Sequence, residues 1–165
     1  MVVEQHPVAQ KTNLTSGRVD MHIRKAQPLD LDAIKTIADK HKTELGFIRR
    51  PTLEKSILLD EIFVAIDEGS QSIIGFVHYH HRRDKQVTLY NLAVIQAFRS
   101  SGVATQLISA LVDEAKSRQL DYILLKCPEE LDANQFYARY GFSAMPQEKG
   151  KHRPLNIWRL DLYNT

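Results

Sequence analysis

Cysteine is nearly absent. Cys127 is the single one among 165 residues, so no intrachain disulfide can close and no cysteine-based zinc cluster can assemble. The expected setting is therefore reducing, the cytosol. Long apolar runs are missing as well: residues 1–20 lack the apolar core of a signal peptide, and no stretch reaches the roughly 20 residues that a membrane-crossing helix needs. No membrane partner is expected. Charge of one sign is in little surplus, with 22 Lys and Arg against 20 Asp and Glu and a sequence pI near 8.6. The basic residues are scattered rather than blocked, which argues against a nucleic-acid partner. No repeat, linker or low-complexity tract interrupts the patterned part.

What is present fits one globular domain over residues 21–165 behind a loose leader over 1–20, whose Asn13, Ser16 and Gly17 sit among polar residues without an apolar period. Met21 opens the first patterned stretch and is a possible alternative start. His22–Ala26 reads as a strand, Pro28 and Asp30 as a helix start, and Leu31, Ile34, Ile37 and Ala38 as an apolar helix face that fades near Gly46. Pro51 opens a second helix through Leu59. Ile62–Ile66 and Ser72–His80 form a hairpin about the Glu68-Gly69-Ser70 turn, and Lys85–Ile95 is a third long strand. Val103, Leu107, Ile108, Leu111, Val112 and Ala115 mark one face of a helix. Tyr122–Lys126 follows, and its unbroken apolar middle suits a strand covered on both sides. Strand, crossover helix and strand imply parallel pairing with a right-handed connection. Leu131–Tyr140 is a short helix closed by Gly141, and Phe142–Met145 and Leu155–Leu162 close the sheet. The expected architecture is α/β, a central mixed sheet of about seven strands with helices on both faces.

Chemistry concentrates in Asn91–Thr105, NLAVIQAFRSSGVAT, where a polar turn joins a strand's carboxyl end to a helix's first turn. Amide N–H groups there lack helical partners, the helix dipole adds positive charge, and Gly102 lets a phosphate approach without a side chain intervening. Arg99 can add a full charge and forked donors. A pyrophosphate fits. No Lys followed by Ser or Thr closes the loop, so this is not a P-loop, and the three-glycine dinucleotide fingerprint is absent too.

Arg99-Ser100-Ser101-Gly102-Val103-Ala104 does match another pattern: Gln or Arg, two residues, Gly, one residue, Gly or Ala. It follows a strand ending Leu92-Ala93-Val94 and opens an amphipathic helix. Downstream, Phe136-Tyr137-Ala138-Arg139-Tyr140-Gly141-Phe142 has the form Phe-Tyr, three residues, Gly-Phe. In both motifs, in their order and across residues 21–162, the chain resembles the GNAT superfamily of N-acetyltransferases. The resemblance implies an acyl-CoA N-acyltransferase fold and acetyl-CoA as cosubstrate. It places Leu92, Ala93 and Val94 along the pantetheine arm and Arg99, Ser100, Ser101, Gly102, Val103, Ala104 and Thr105 at the diphosphate. It further implies an oxyanion-stabilising amide near Leu92 and Tyr137 as the acid that protonates the departing thiolate. Many members carry Asn where this chain has Glu130; Asn134 lies close by in another register and takes over the coenzyme contact in this reading.

The acceptor amine has to be neutral to attack, and a lysine-like amine is mostly protonated at neutral pH. Thr88, Tyr90 and Asn91 stand where many relatives have a carboxylate, so the base is unassigned. His78 and His80 share one strand face and Tyr79 and His81 the other. A solvated face is the simplest reading of these histidines, a general base comes second and a metal pair last; no metal is expected. Phe47, Arg49 and Arg50 sit between the first two helices, the region that covers the acceptor in this superfamily. They form either a site for an acidic substrate group or an exposed turn in which Glu44 pairs with the arginines. Cys127 reads as a small buried hydrophobe, and Lys149–Lys151, His152 and Arg153 as a solvated turn.

The expected function is acetyl transfer from acetyl-CoA to an amine by direct attack in a ternary complex. A small amine or amino-acid-like metabolite leads as acceptor. A protein amino terminus or lysine is the alternative, and an acyl-CoA sensor without turnover the third. Either a monomer or a homodimer fits.

Overall fold

The computed structural model describes residues 20–163, so the leader, Asp20 apart, lies outside the described residues. Strand β1 (Met21–Lys25) leads into a 3-10 turn at Pro28–Asp30 and then helix α1 (Leu31–Lys40). The Asp30 carboxylate fixes this entry by accepting the Gln27 N–H at 2.7 Å. Helix α1 does not run on to Gly46. Nδ1 of His41 lies 2.8 Å from the Ile37 carbonyl, while the His41 N–H turns to Ala38 O at 3.1 Å. The tighter turn ends α1, and a separate short helix, α2 (Lys42–Leu45), follows. Helix α3 (Arg50–Leu58) carries Pro51 in its first turn, where the missing N–H costs nothing.

Strands β2 (Ile62–Asp67), β3 (Ile73–His81) and β4 (Gln86–Val94) precede helix α4 (Val103–Ser117). Strand β5 (Tyr122–Pro128), helix α5 (Ala133–Tyr140) and strands β6 (Ser143–Lys149) and β7 (Pro154–Asp161) complete the chain. The hydrogen-bonded order is β1-β2-β3-β4-β5-β7-β6. Strands β4 and β5 pair in parallel, Gln86 opposite Tyr122 through Leu89 opposite Leu125; β1 with β2, β2 with β3, β5 with β7 and β6 with β7 are antiparallel. A seven-stranded mixed sheet is the architecture the sequence led us to expect. The chain divides into two compact units, the first comprising residues up to His78 together with Asn91–Ala110, the second Tyr79–Tyr90 with the residues from Leu111 onward.

In the first unit a continuous core joins Ile34, Ile37 and Ala38 of α1 and Leu53 and Ile57 of α3 to Ile62, Val64 and Ile66 of β2, Phe76 of β3 and Ala93 of β4. Phe76 of β3 therefore lies on the side of α1 and α3. Gly75 faces the other way, toward Val103 and Leu107 of α4. Helices thus cover both faces here, and every residue of β2 is buried.

In the second unit Ile123, Leu125 and Cys127 of β5 are buried while Leu124 is only half-buried. The strand is thus less evenly covered than its run of apolar residues suggested. Helix α5 ends at Gly141, and the rings of Phe136 and Phe142 each meet that of Tyr137 edge-on at 5.5 Å. Strand β6 is exposed along its whole length. It outlasts the expected end at Met145 because Pro146 sits within a register shift between Met145 and Glu148, after which pairing with β7 resumes. An edge strand and a bulge are the two sheet positions that tolerate proline.

Two interactions of the first unit yield measurable predictions. Arg24 grips Asp30 with both Nη atoms, at 2.7 and 3.1 Å. Burial alone would raise the Asp30 pKa, but the hydrogen bonds from Arg24 and the Gln27 N–H outweigh it and hold the carboxyl below its usual value. The folded pKa lies below the unfolded one, so the pair's contribution is present above about pH 4 and is lost as pH falls through the depressed value. Asp30→Asn is expected to cost about 1–2 kcal/mol at pH 7, the low end for a charged hydrogen bond because Arg24 is partly screened by solvent. Denaturant titrations at pH 7 and pH 3 check this: the gap from wild type should narrow at the lower pH. At Gly75 a Cβ would come within 2.8 Å of the Ala93 carbonyl and 3.4 Å of Val103 and Leu107. Gly75→Ala should destabilise by about 1–3 kcal/mol through overpacking. Gly69→Ala, whose Cβ would meet only Asp67 at an ordinary 3.7 Å, should change the unfolding midpoint little.

Candidate functional site

The junction between β4 and α4 lies in the first unit. Ile95 still donates to Ile74 O at 2.9 Å; then Gln96–Phe98 makes one 3-10 turn that buries Phe98. Ser100 and Gly102 both take left-handed backbone conformations, φ 63° and 88°. The first helical bond of α4 is donated by Gln106 to Gly102 O at 3.0 Å. Among the described residues, the N–H groups from Ser100 to Thr105 have no hydrogen-bond partner. Left-handed turns that gather consecutive N–H groups form a nest for an anion, and the start of a 15-residue helix adds its dipole. A Cβ at Gly102 would meet nothing within 4 Å. The glycine is thus required by its backbone angle, and the space beside it is open.

Leu92, Ala93 and Val94 form the last residues of β4, with Ala93 and Val94 buried and Leu92 half-buried. The Arg99 side chain turns back onto this strand: Nε donates to Val94 O at 3.0 Å, and Nη2 lies 3.5 Å from Glu44. Arg99 also lines a cavity of about 770 Å³, together with Arg24, Asp30, Lys40, Glu44 and Ile74. Its guanidinium thus braces the end of β4 and reaches α2.

The residues singled out for the acceptor side have different surroundings. Phe47 is exposed under the Lys35 ammonium, 4.3 Å from its ring centre. Arg49 precedes α3, and Arg50 pairs with Asp32 at 2.8 Å. Glu44 turns to Arg99 and not to these arginines. His80, in the second unit, is half-buried. His78 is 4 % exposed, so it does not belong to a solvated face. Its Nε2 lies 2.8 Å from Ser56 Oγ and its Nδ1 3.1 Å from Asn91 Nδ2. Sequence reasoning missed Ser56 altogether. The available signal was a hydroxyl standing between Leu53 and Ile57 on the buried stripe of α3.

In the second unit Tyr137 is buried, and its hydroxyl has no hydrogen bond among the described residues. Burial first, then neighbouring Cys127, pushes the phenol well above its usual pKa, so it keeps its proton. Asn134 is fully engaged. Its Nδ2 donates to Pro128 O at 2.9 Å and Leu131 O at 2.8 Å, and its Oδ1 accepts from Asn156 at 3.0 Å and Trp158 Nε1 at 2.9 Å. A coenzyme contact by this side chain would have to replace one of these bonds. Glu130 pairs with Arg153, which ties down one end of the basic segment, and Cys127 is buried.

Among the described residues no three His, Cys, Asp or Glu side chains group as a metal site, and no helix is long and apolar enough to cross a membrane. No protein of curated function matches the chain in sequence. Solved structures share its fold. Ard1 of Thermoplasma volcanium superposes with a TM-score of 0.79 at 20% identity, over 88% of this chain and 100% of that one. The ribosomal-protein-S18-alanine N-acetyltransferase of Escherichia coli gives 0.73 at 18%, over 88% and 96%. N-acetylglutamate synthase of Neisseria gonorrhoeae, complexed with coenzyme A and N-acetyl-glutamate, gives 0.75 at 16%, over 87% of this chain and 35% of its own. Residues 31–142, a span that runs from the start of α1 past the end of α5, match the model of the acetyltransferase (GNAT) family, and the chain belongs to that family.

Proposed function

We propose that this chain transfers an acetyl group from acetyl-CoA to an amine. The observation that carries the reading is the set of unpartnered N–H groups from Ser100 to Thr105 at the start of α4. A diphosphate satisfies these donors without any cation being supplied. In the same reading the backbone of Leu92–Val94 holds the pantetheine arm as an added strand, and an amide near Leu92 donates to the thioester oxygen as it gains charge. The amine nitrogen bonds to the acetyl carbon, the carbon–sulfur bond breaks and Tyr137 gives its proton to the departing sulfur. The proton that the new amide nitrogen sheds passes to solvent, and the Tyr137 phenolate is reprotonated from solvent. A phenol held protonated by burial yields its proton only to a strong base, the role that the departing thiolate fills in this reading.

Among structural neighbours, one is named for synthesis of N-acetylglutamate and another for acetylating an alanine of a ribosomal protein. Free amino-acid-like metabolites and protein amino termini are thus both acceptor classes to test, with the small-molecule class preferred. The cytosol is the proposed compartment.

A thiol-release assay over L-amino acids, spermidine, n-butylamine, and peptides bearing free amino termini or lysines tests the reading. Release above acetyl-CoA hydrolysis with at least one amine is expected. If none gives release while acetyl-CoA still raises the melting temperature, the chain is a sensor and not an enzyme. Tyr137→Phe should lower kcat by about a hundredfold, the scale of a general acid, with the coenzyme-induced melting shift unchanged. An unchanged kcat removes that assignment.

A further inference from the structure

The buried chain of polar groups formed by Ser56, His78 and Asn91 has a direction. The Asn91 amide nitrogen has no lone pair to offer, so it donates to His78 Nδ1 at 3.1 Å. The ring's one proton then sits on Nε2, which donates to Ser56 Oγ at 2.8 Å. Both ring nitrogens are occupied inside the core, and His78 is neutral, fixed in one tautomer and unsuited to shuttling protons. What the chain does fix is the Asn91 amide. With Nδ2 turned inward, Oδ1 is the outward end; it has no hydrogen-bond partner among the described residues and is not sealed from solvent. Asn91 immediately precedes Leu92 and shares the α1 and α3 face with Ala93 two residues on.

We infer that Asn91 is the acceptor-positioning residue: its Oδ1, locked outward by His78 and Ser56, accepts an N–H hydrogen bond from the attacking amine. The inference rests on the acetyltransferase reading above, in which the thioester lies beside Leu92. Asn91 stands in the region where relatives carry a carboxylate, but an amide oxygen takes no proton, so it directs the nitrogen without serving as its base. The ligand class is a primary amine. Recognition through one N–H needs nothing of the rest of the molecule.

Steady-state kinetics on the full chain with n-butylamine and acetyl-CoA provide the test. Asn91→Ala should raise the amine KM about tenfold, the loss of one hydrogen bond to a polar partner, and leave the acetyl-CoA KM unchanged. His78→Ala frees the amide to turn and should raise the amine KM similarly. The double variant should be no worse than Asn91→Ala alone, because both act through one oxygen. His78→Gln, which can offer an acceptor oxygen and a donor N–H, should recover part of the loss. If His78→Ala does not fold, Asn91→Ala and His78→Gln decide. An unchanged amine KM in Asn91→Ala overturns the inference, as does a double variant whose losses add. If wild type turns over no amine at all, the acetyltransferase reading has failed and this inference falls with it, an outcome distinct from active wild type with an indifferent Asn91.

Discussion

A strand that leaves a sheet and becomes a helix within a few residues cannot pair all its donors, and the junction after β4 is built around that constraint. Up to Ile95 the backbone is still tied to the sheet through Ile74 O, and from Gln106 it is tied to the helix through Gly102 O. The N–H groups from Ser100 to Thr105 belong to neither ladder. Buried donors without partners cost on the order of 1–3 kcal/mol each, so this stretch is tolerable only where water or an anion can reach it. Gly75 sets how closely the two sides of the junction approach, since its missing side chain admits Ala93 O, Val103 and Leu107. Arg99 adds a clamp by holding Val94 O. Rigidity in the frame and openness in the turn are what an anion cradle requires, because donors already aimed lose little entropy on binding.

Most of the frame was legible in the sequence because apolar period translates directly into burial. Ile34, Ile37 and Ala38 announced the inner face of α1, and Leu107, Ile108, Leu111 and Ala115 that of α4. The glycine-bearing turn and the strand before it gave the loop. Where the reading erred, a side chain had replaced a backbone bond or a bulge had hidden continuity. The His41 ring beside the Ile37 carbonyl splits one expected helix in two. At Pro146 the register shift lets β6 continue past Met145, where the expected strand ended.

The candidate site was less legible than the fold, for a related reason. The backbone donors of the loop follow from local pattern, but side-chain chemistry depends on which residues meet. Alternation on β3 showed that His78 and His80 share a face. It could not show that this face turns inward at His78, nor that Ser56 and Asn91, 22 and 13 residues away in sequence, would take both ring nitrogens. Likewise Asn134 looked available from its place near the Phe-Tyr motif, yet Trp158 and Asn156 arrive from β7 to take its oxygen.

Two inward-facing polar devices of the first unit differ in chemistry in a way that bears on catalysis. Arg24 and Asp30 are charged, mutually neutralising and placed at the entry to α1, where a fixed ion pair orders the backbone. Ser56, His78 and Asn91 form an uncharged chain ending on the strand that presents Leu92. A carboxylate at that end would attract an amine but would also favour its ammonium form, which has no lone pair for attack. An amide oxygen attracts an N–H without a full negative charge to hold the extra proton in place. Burying a neutral chain also avoids the desolvation penalty that an unpaired carboxylate would incur there. Within the proposed reaction, the absence of a carboxylate on β4 is then a consequence of using a neutral acceptor to orient the nucleophile, and the amine's own protonation equilibrium is left to solvent.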